Sequence, residues 1–379
     1  MKKIILVFGT RPEAIKMAPL LIELKQSSFF EVITCVTAQH REMLDQVLEV
    51  FNIVPDIDLN LMAKDQDLYD ITSKVLIAMK QVLIDYKPDL MLVHGDTTTT
   101  MASALAAFYM NIDIGHVEAG LRTHNICSPF PEEANRQIVS RLANWHFAPT
   151  DRNKQDLLSE GIHEDCTAVT GNTVIDAMQL NFKNMTISGA LEHIHDLISQ
   201  ELSFSWQTED YILITAHRRE NIGNSFECIF NAIKDLSITF KNIYFVYPVH
   251  PNPKVRDLAF GILNDLENVY LISPMSYQPF CVLMANCFFV ITDSGGIQEE
   301  APSLGKPVLV LRDNTERPEA VASGTVKLVG SSRNEIVSSV SDLILNSKSY
   351  QSMSESVNPY GDGTASKRII KFLMDNYEK

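Results

Sequence analysis

The chain predicts an α/β protein built from two doubly wound domains, and three observations carry that expectation. Short apolar runs alternate with helix-spaced segments along almost all of its 379 residues, the pattern of parallel strands covered on both faces by crossover helices. That length exceeds what one ordinary core organises, and the apolar runs divide evenly into two sets. The composition, 45% hydrophobic and 21% charged, is that of a well-packed chain with no disordered signature.

Strands are expected over 3–8, 31–36, 90–95, 112–117 and 145–148, then over 211–216, 243–247, 268–272, 287–292 and 307–311. Between them, segments such as 13–26, 98–110, 131–143, 222–240 and 333–346 have helical spacing. The boundary is expected near Thr170-Gly171-Asn172, giving domains over 1–170 and 171–364. The polar, strand-poor region 181–208 opens the second domain as helix. The turn cluster Pro359-Tyr360-Gly361-Asp362-Gly363 sets off a last helix, 365–377, and residues 365–379 are expected to pack back on the first domain.

Composition also excludes. A net charge of −15 argues against a nucleic-acid partner, and any phosphate site must be locally basic against that background. The six cysteines, at 35, 127, 166, 228, 281 and 287, form no CxxC and read as reduced, mostly buried thiols. The first apolar run, Ile4 to Phe8, is too short for a signal peptide and is closed by Gly9-Thr10-Arg11. No segment reaches the roughly 20 apolar residues of a bilayer span, so no membrane role and a cytoplasmic location are expected. GxGxxG and Walker lysine motifs are missing, which speaks against NAD and ATP hydrolysis. Asp56-Ile57-Asp58 matches the acidic motif of metal-dependent sugar transferases at two residues only, and His193-Ile194-His195 has no third ligand at a sensible spacing. Neither metal nor cofactor is expected.

The strand-to-helix loops hold the chemistry. Asp293-Ser294-Gly295-Gly296-Ile297-Gln298-Glu299-Glu300 follows an apolar strand. Glycines let backbone approach a ligand, and the free N–H groups of a first helical turn suit a diphosphate. Glu300, about one turn in, suits a ribose diol. A plain Ser-capped helix after a tight turn is the competing reading. Strand one runs into Gly9-Thr10-Arg11-Pro12, with Pro12 suited to the first helical position and Lys16 on the early turns. Asp96 heads a threonine run and is either a helix cap or an acid group. Glu118, before Ala119-Gly120, has little to cap and reads as functional. Glu132 and Glu133 open a helix, where Glu132 is placed to pair with Arg136 at i,i+4. His217, beside Arg218 and Arg219, is either a phosphate or proton-transfer residue or a structural histidine.

These segments together resemble the non-hydrolysing UDP-N-acetylglucosamine 2-epimerases of bacteria. The resemblance runs from Phe8-Gly9-Thr10-Arg11-Pro12-Glu13-Ala14-Ile15-Lys16 to Asn358-Pro359-Tyr360-Gly361-Asp362-Gly363, nearly the full chain. It implies a GT-B-like fold of two doubly wound Rossmann-like domains, with the active site in the cleft between them. By the same resemblance Ser294, Gly295, Gly296 and Glu300 hold the diphosphate and ribose of UDP, with Phe280 beside uracil. Arg11, Lys16, His217 and Arg317 then lie around the phosphates and sugar, and Asp96, Glu118 and Glu132 are the acid and base groups. Gln39, Arg218 and His250 match an allosteric site for a second UDP-N-acetylglucosamine. A homodimer and a role in polysaccharide biosynthesis are implied too.

The residue types fit that chemistry. The C2 proton of the sugar is not next to a carbonyl, so epimerisation proceeds by eliminating UDP to 2-acetamidoglucal and adding it back. That needs more than one carboxylate and firm neutralisation of the departing UDP. Three rivals use the same UDP site: a GT-B glycosyltransferase, a hydrolysing epimerase and a catalytically silent nucleotide-sugar sensor. The carboxylates at the first domain's strand ends speak against the first, and the presence of Asp96, Glu118 and His217 against the last.

Overall fold

The structure is a computed structural model that describes residues 1–38, 41–63, 65–218 and 223–378. It contains two compact units: Met1–Phe182 with Tyr360–Lys379, and Lys183–Pro359.

The first unit holds β1 (Lys2–Phe8), β2 (Phe30–Val36), β3 (Ile57–Asp58), β4 (Leu90–His94), β5 (Asp113–Val117), β6 (Trp145–Ala148) and β7 (Thr167–Val169). They form one sheet in the order β3-β2-β1-β4-β5-β6-β7, and every pairing is parallel. The run Ile4 to Phe8 in β1 has no solvent exposure, as a central strand covered on both faces requires. Chain order reverses between β1 and β4. Loops leaving the carboxyl ends of these two neighbours diverge and open a crevice, and they are Gly9-Thr10-Arg11 and Gly95-Asp96-Thr97.

The second unit repeats the plan with β8 (Tyr211–Thr215), β9 (Tyr244–Pro248), β10 (Val269–Ile272), β11 (Phe289–Thr292), β12 (Val308–Val310) and β13 (Val326–Leu328). Its order is β10-β9-β8-β11-β12-β13, again parallel. The reversal lies between β8 and β11, so His217-Arg218 and Asp293-Ser294-Gly295 flank this unit's crevice. A core of Ile214, Phe230, Phe245, Tyr247 and Phe289 backs it.

All ten expected strands form. Three short edge strands, β3, β7 and β13, were not expected, because two or three residues carry no readable alternation. Ile57 and Asp58 of the Asp56-Ile57-Asp58 motif form one of them, β3. Asp56 accepts from the Thr34 backbone N–H at 2.7 Å and Asp58 pairs with Arg41, so both acids serve the sheet edge. The cysteines divide more evenly than composition suggested: Cys35, Cys281 and Cys287 are buried, Cys127 and Cys228 exposed.

The units divide within the helix Thr173–Ser188, at Phe182, rather than at the turn over 170–172. That turn is real, since Gly171 has φ +85°. The first part of the helix after it, up to Phe182, nevertheless stays with the first unit. It buries Val174, Ile175, Ala177 and Met178 there, and Asp176 accepts from the Ala365 and Ser366 backbone N–H groups at 3.2 and 2.8 Å. The last helix, Ala365–Tyr377, sets Phe372 edge-on to Trp145 and Phe147 at 5.6 and 5.7 Å between centroids. Among the described residues no helix is long and apolar enough to cross a membrane.

Candidate active site

At the first unit's crevice one buried carboxylate joins both loops. The helix Arg11–Gln26 begins with Thr10 as its N-cap and Glu13 completing a capping box. Arg11, half-buried, is therefore the first helical residue and Pro12 the second. Glu13 accepts from the Gly9 and Thr10 backbone N–H groups at 3.1 and 2.8 Å. From the other loop it accepts the Thr97 and Thr100 hydroxyls at 2.6 and 3.0 Å. Burial pushes its carboxyl above the usual range, and these donors oppose that shift. Gly9 is required here, because a Cβ would lie 2.9 Å from the Thr99 hydroxyl and collide with that of Thr37.

Glu118 stands at the end of β5 with φ +63°, a left-handed backbone that costs a non-glycine residue of order 1–3 kcal/mol. Lys16 Nζ donates to its Oε2, and Asn172 Nδ2 donates to the same oxygen at 2.7 Å. His94 Nε2 lies 3.7 Å from it. That nitrogen is buried without a hydrogen-bond partner. Burial holds the His94 imidazole down at about 4, hence neutral. Burial likewise depresses His116 to about 3 and His146 to about 4.

Asp96 is not a helix cap. Thr97 caps the helix Thr98–Tyr109, its hydroxyl accepting from the Thr100 backbone N–H at 3.1 Å. The Asp96 carboxylate instead accepts from Arg136, and its carbonyl accepts from Asn135 Nδ2 at 2.9 Å. The expected Glu132–Arg136 pair is also corrected. Arg136 reaches Glu133 at 2.8 Å as well as Asp96. Glu133 is the acid that turns inward, fully buried, and it accepts from the Thr123 backbone N–H at 3.1 Å. Glu132, the first residue of the helix Glu132–Leu142, is half-buried.

In the second unit Asp293 ends β11 fully buried. It accepts from the His217 and Arg218 backbone N–H groups, both at 2.8 Å. Its other oxygen lies 3.1 Å from His217 Nδ1. Burial opposes ionisation, yet His217 and the two N–H groups hold the Asp293 carboxyl below its ordinary range. The His217 ring stays exposed and stacks on His250 at 5.8 Å. Asp293 entered the sequence reading only as the head of the glycine loop; its service to His217 was missed.

Ser294 does not cap the following helix, Ile297–Ser303, whose cap position is Gly296. The Ser294 backbone N–H instead donates to the Thr292 hydroxyl at 2.9 Å. Arg317 explains Gly295: a Cβ there would stand 2.7 Å from its Nη1. Arg317 is locked by Glu299 at 2.6 Å. A Cβ on Gly296 would meet no atom within 4 Å, so backbone there is open to close approach. Glu300, fourth in the helix, and Phe280, on the helix Tyr277–Asn286, are both half-buried. Gln39 lies outside the described residues. Among the described residues no group of three or more His, Cys, Asp or Glu is arranged to hold a metal ion.

Two Rossmann-like units, each with polar groups gathered at its switch point, define the GT-B-like class of α/β protein. A family profile described as UDP-N-acetylglucosamine 2-epimerase matches residues 22–374. The chain is 52% identical over 374 residues to the UDP-N-acetylglucosamine 2-epimerase of Escherichia coli K12, covering 99% of each. It superposes with TM-score 0.91 on the Neisseria meningitidis UDP-GlcNAc 2-epimerase bound to UDP-GlcNAc, at 52% identity over 99% of this chain and 100% of that one. The Methanocaldococcus jannaschii enzyme in complex with UDP-GlcNAc and UDP is 33% identical, with TM-score 0.83, over 99% and 100% of the two chains. The protein belongs to the UDP-N-acetylglucosamine 2-epimerase family.

Proposed function

We propose that the protein interconverts UDP-N-acetylglucosamine and UDP-N-acetylmannosamine by elimination and re-addition of UDP. A base takes the C2 proton, the C–H electron pair becomes the C1=C2 double bond of 2-acetamidoglucal, and the C1–O pair leaves with UDP. Re-addition reverses these steps with the proton delivered to the other face of C2. Asp96, Glu118 and Glu132 supply the acid and base groups. Ser294, Gly295 and Gly296 offer backbone to the diphosphate, Glu300 accepts from the ribose diol and Phe280 lies against uracil. Arg11 and Arg317 neutralise phosphate charge, and Lys16 adds a cation beside the Glu118 carboxylate. His217, held in one orientation by Asp293, assists the departure and return of UDP.

The observation that supports this reading best is the division of chemistry between the two switch points. One carries carboxylates; the other carries a glycine loop, Arg317 and an oriented histidine. The same reading takes the protein as a cytoplasmic homodimer and includes a second UDP-N-acetylglucosamine as effector, engaging Arg218 and His250 with Gln39.

The test is incubation of purified protein with UDP-N-acetylglucosamine and no added NAD, followed by anion-exchange analysis. UDP-N-acetylmannosamine should appear and plateau as a reversible mixture. Stoichiometric UDP with free N-acetylmannosamine would instead make it a hydrolysing enzyme.

A further inference from the structure

We infer that Asn172 is a positioning residue for the reaction: it fixes Glu118 as an ionised carboxylate, so that Glu118 enters the reaction as the proton acceptor. The inference rests on the assignment of Glu118 to proton transfer.

Asn172 is 2% exposed and held from three directions. Its backbone N–H donates to the Tyr360 carbonyl at 2.7 Å, where the chain returns to the first unit. Its Oδ1 accepts from the Val174 backbone N–H at 3.1 Å. Its Nδ2 donates to Glu118 Oε2 at 2.7 Å. Because Oδ1 already faces an N–H group, the amide has one orientation, and the atom turned to Glu118 is the NH2 donor. The backbone cannot drift either. Gly171 and Gly361 both have positive φ, and a Cβ on Gly171 would stand 3.0 Å from the Tyr360 carbonyl oxygen. Two glycines therefore let the returning segment lie flat against the loop that carries Asn172.

What Asn172 demands of Glu118 follows from the donor count. Oε2 receives an amide N–H and the Lys16 ammonium. A neighbouring ammonium and an amide donor on the same oxygen both stabilise the charged form of the carboxyl, so together they favour Glu118 as a carboxylate. Among the described residues the titratable groups near it include Lys16 from the helix Arg11–Gln26 and His94 from the end of β4, with Asp96 in the turn after His94; the imidazole of His94 senses Glu118, Lys16 and Asp96 together. Lys16 carries the charge, whereas Asn172 carries the direction. A lysine on four methylenes can follow a carboxylate that turns; an amide clamped at three points cannot. Since Glu118 already stands in a strained left-handed conformation, an external clamp is what keeps its carboxylate in one place.

The test uses the full-length protein with Asn172→Asp, Asn172→Ser and Glu118→Gln in parallel. Asn172→Asp keeps the acceptor for Val174 and the backbone bond to Tyr360, but removes the donor and adds a like charge beside Glu118. Its kcat should fall about 10–100-fold, the loss of one charge-assisted hydrogen bond, with KM within about twofold. The acid limb of its kcat–pH profile should move to higher pH. Asn172→Ser, a good cap that is too short to reach Glu118, should lose kcat similarly with a smaller pH displacement, and it serves alone if the aspartate variant does not fold. Parental kcat and pH profile in the Asn172 variants, with or without a lowered Tm, would reduce Asn172 to a helix cap and overturn the inference. Parental turnover in Glu118→Gln would overturn the assignment beneath it instead, so the two failures are told apart.

Discussion

At the first unit's switch point the carboxylates meet cations of their own fold: Arg136 on Asp96 and Lys16 on Glu118. At the second unit's, the buried acid Asp293 meets backbone N–H groups and an exposed histidine, and the loop after it leaves Gly296 uncovered. The first arrangement suits groups whose charge and direction must be set before a proton moves, because reorganising them during the reaction would add to the barrier. The second suits binding and release of an anion, with open backbone and an exposed histidine held by Asp293. If the proposed roles hold, proton transfer and UDP handling should be separable by mutation.

The largest expected effects fall on the first unit. Glu118→Gln should lower kcat by about 10²–10⁴-fold while UDP affinity, measured by calorimetry, stays near the parent value. Asp96→Asn should do the same and also lower Tm, because Arg136 keeps only Glu133 as an ionic partner. His217→Asn tests the other side: if carboxylate variants release 2-acetamidoglucal while the histidine variant releases little, the division holds. Loss of UDP binding in Glu118→Gln would break it.

Substitutions in the second unit should act on binding. Glu300→Gln keeps volume but removes an anionic acceptor, costing roughly 1.5–3 kcal/mol, seen mainly in KM because ribose contacts change little toward the transition state. An unchanged KM with collapsed kcat would move Glu300 into the chemistry. Gly295→Ala should raise KM by about tenfold, or about 1.4 kcal/mol, since the new methyl displaces Arg317 from beside Glu299. Steady-state kinetics at saturating and limiting substrate separate these outcomes.

A separate effect concerns stability against pH, and three buried histidines of the first unit are its main carriers. His94, His116 and His146 are depressed by burial to about 4, 3 and 4. The unfolded chain binds these protons near pH 6.5 and the folded one does not. Stability is therefore intact above about pH 6.5 and falls as pH drops toward 4, by up to about 1.4 kcal/mol per pH unit for each histidine. Urea denaturation at pH 7 and pH 5 measures it. Equal midpoints would mean that these histidines take up protons while folded.

Much of this was legible in the sequence because ligand chemistry places unusual residues at strand ends. Arg11, Asp96, Glu118, His217 and the glycines at 295 and 296 stand where stability alone would not put them, and the topology brings each to a switch point. Their partners were not legible. Lys16 and Glu118 are 102 residues apart, and Asn172 and Glu118 are 54 apart. Local periodicity carries nothing about such pairs. Local rules left Asp96 open between cap and acid and paired Glu132 with Arg136, whereas Arg136 answers to Asp96 and Glu133 instead. Asp293 was hidden by its own motif, whose glycines drew the reading toward phosphate. The turn at Gly171 was visible, but the buried face that keeps the start of the next helix in the first unit was not.

Elimination and re-addition, as proposed, break C2–H in every productive turnover. Proton NMR of UDP-N-acetylglucosamine incubated with the enzyme in D2O tests it directly. Deuterium should appear at C2 of both UDP-N-acetylglucosamine and UDP-N-acetylmannosamine as the mixture approaches equilibrium. Epimerised product that keeps its C2 proton throughout would contradict elimination and re-addition.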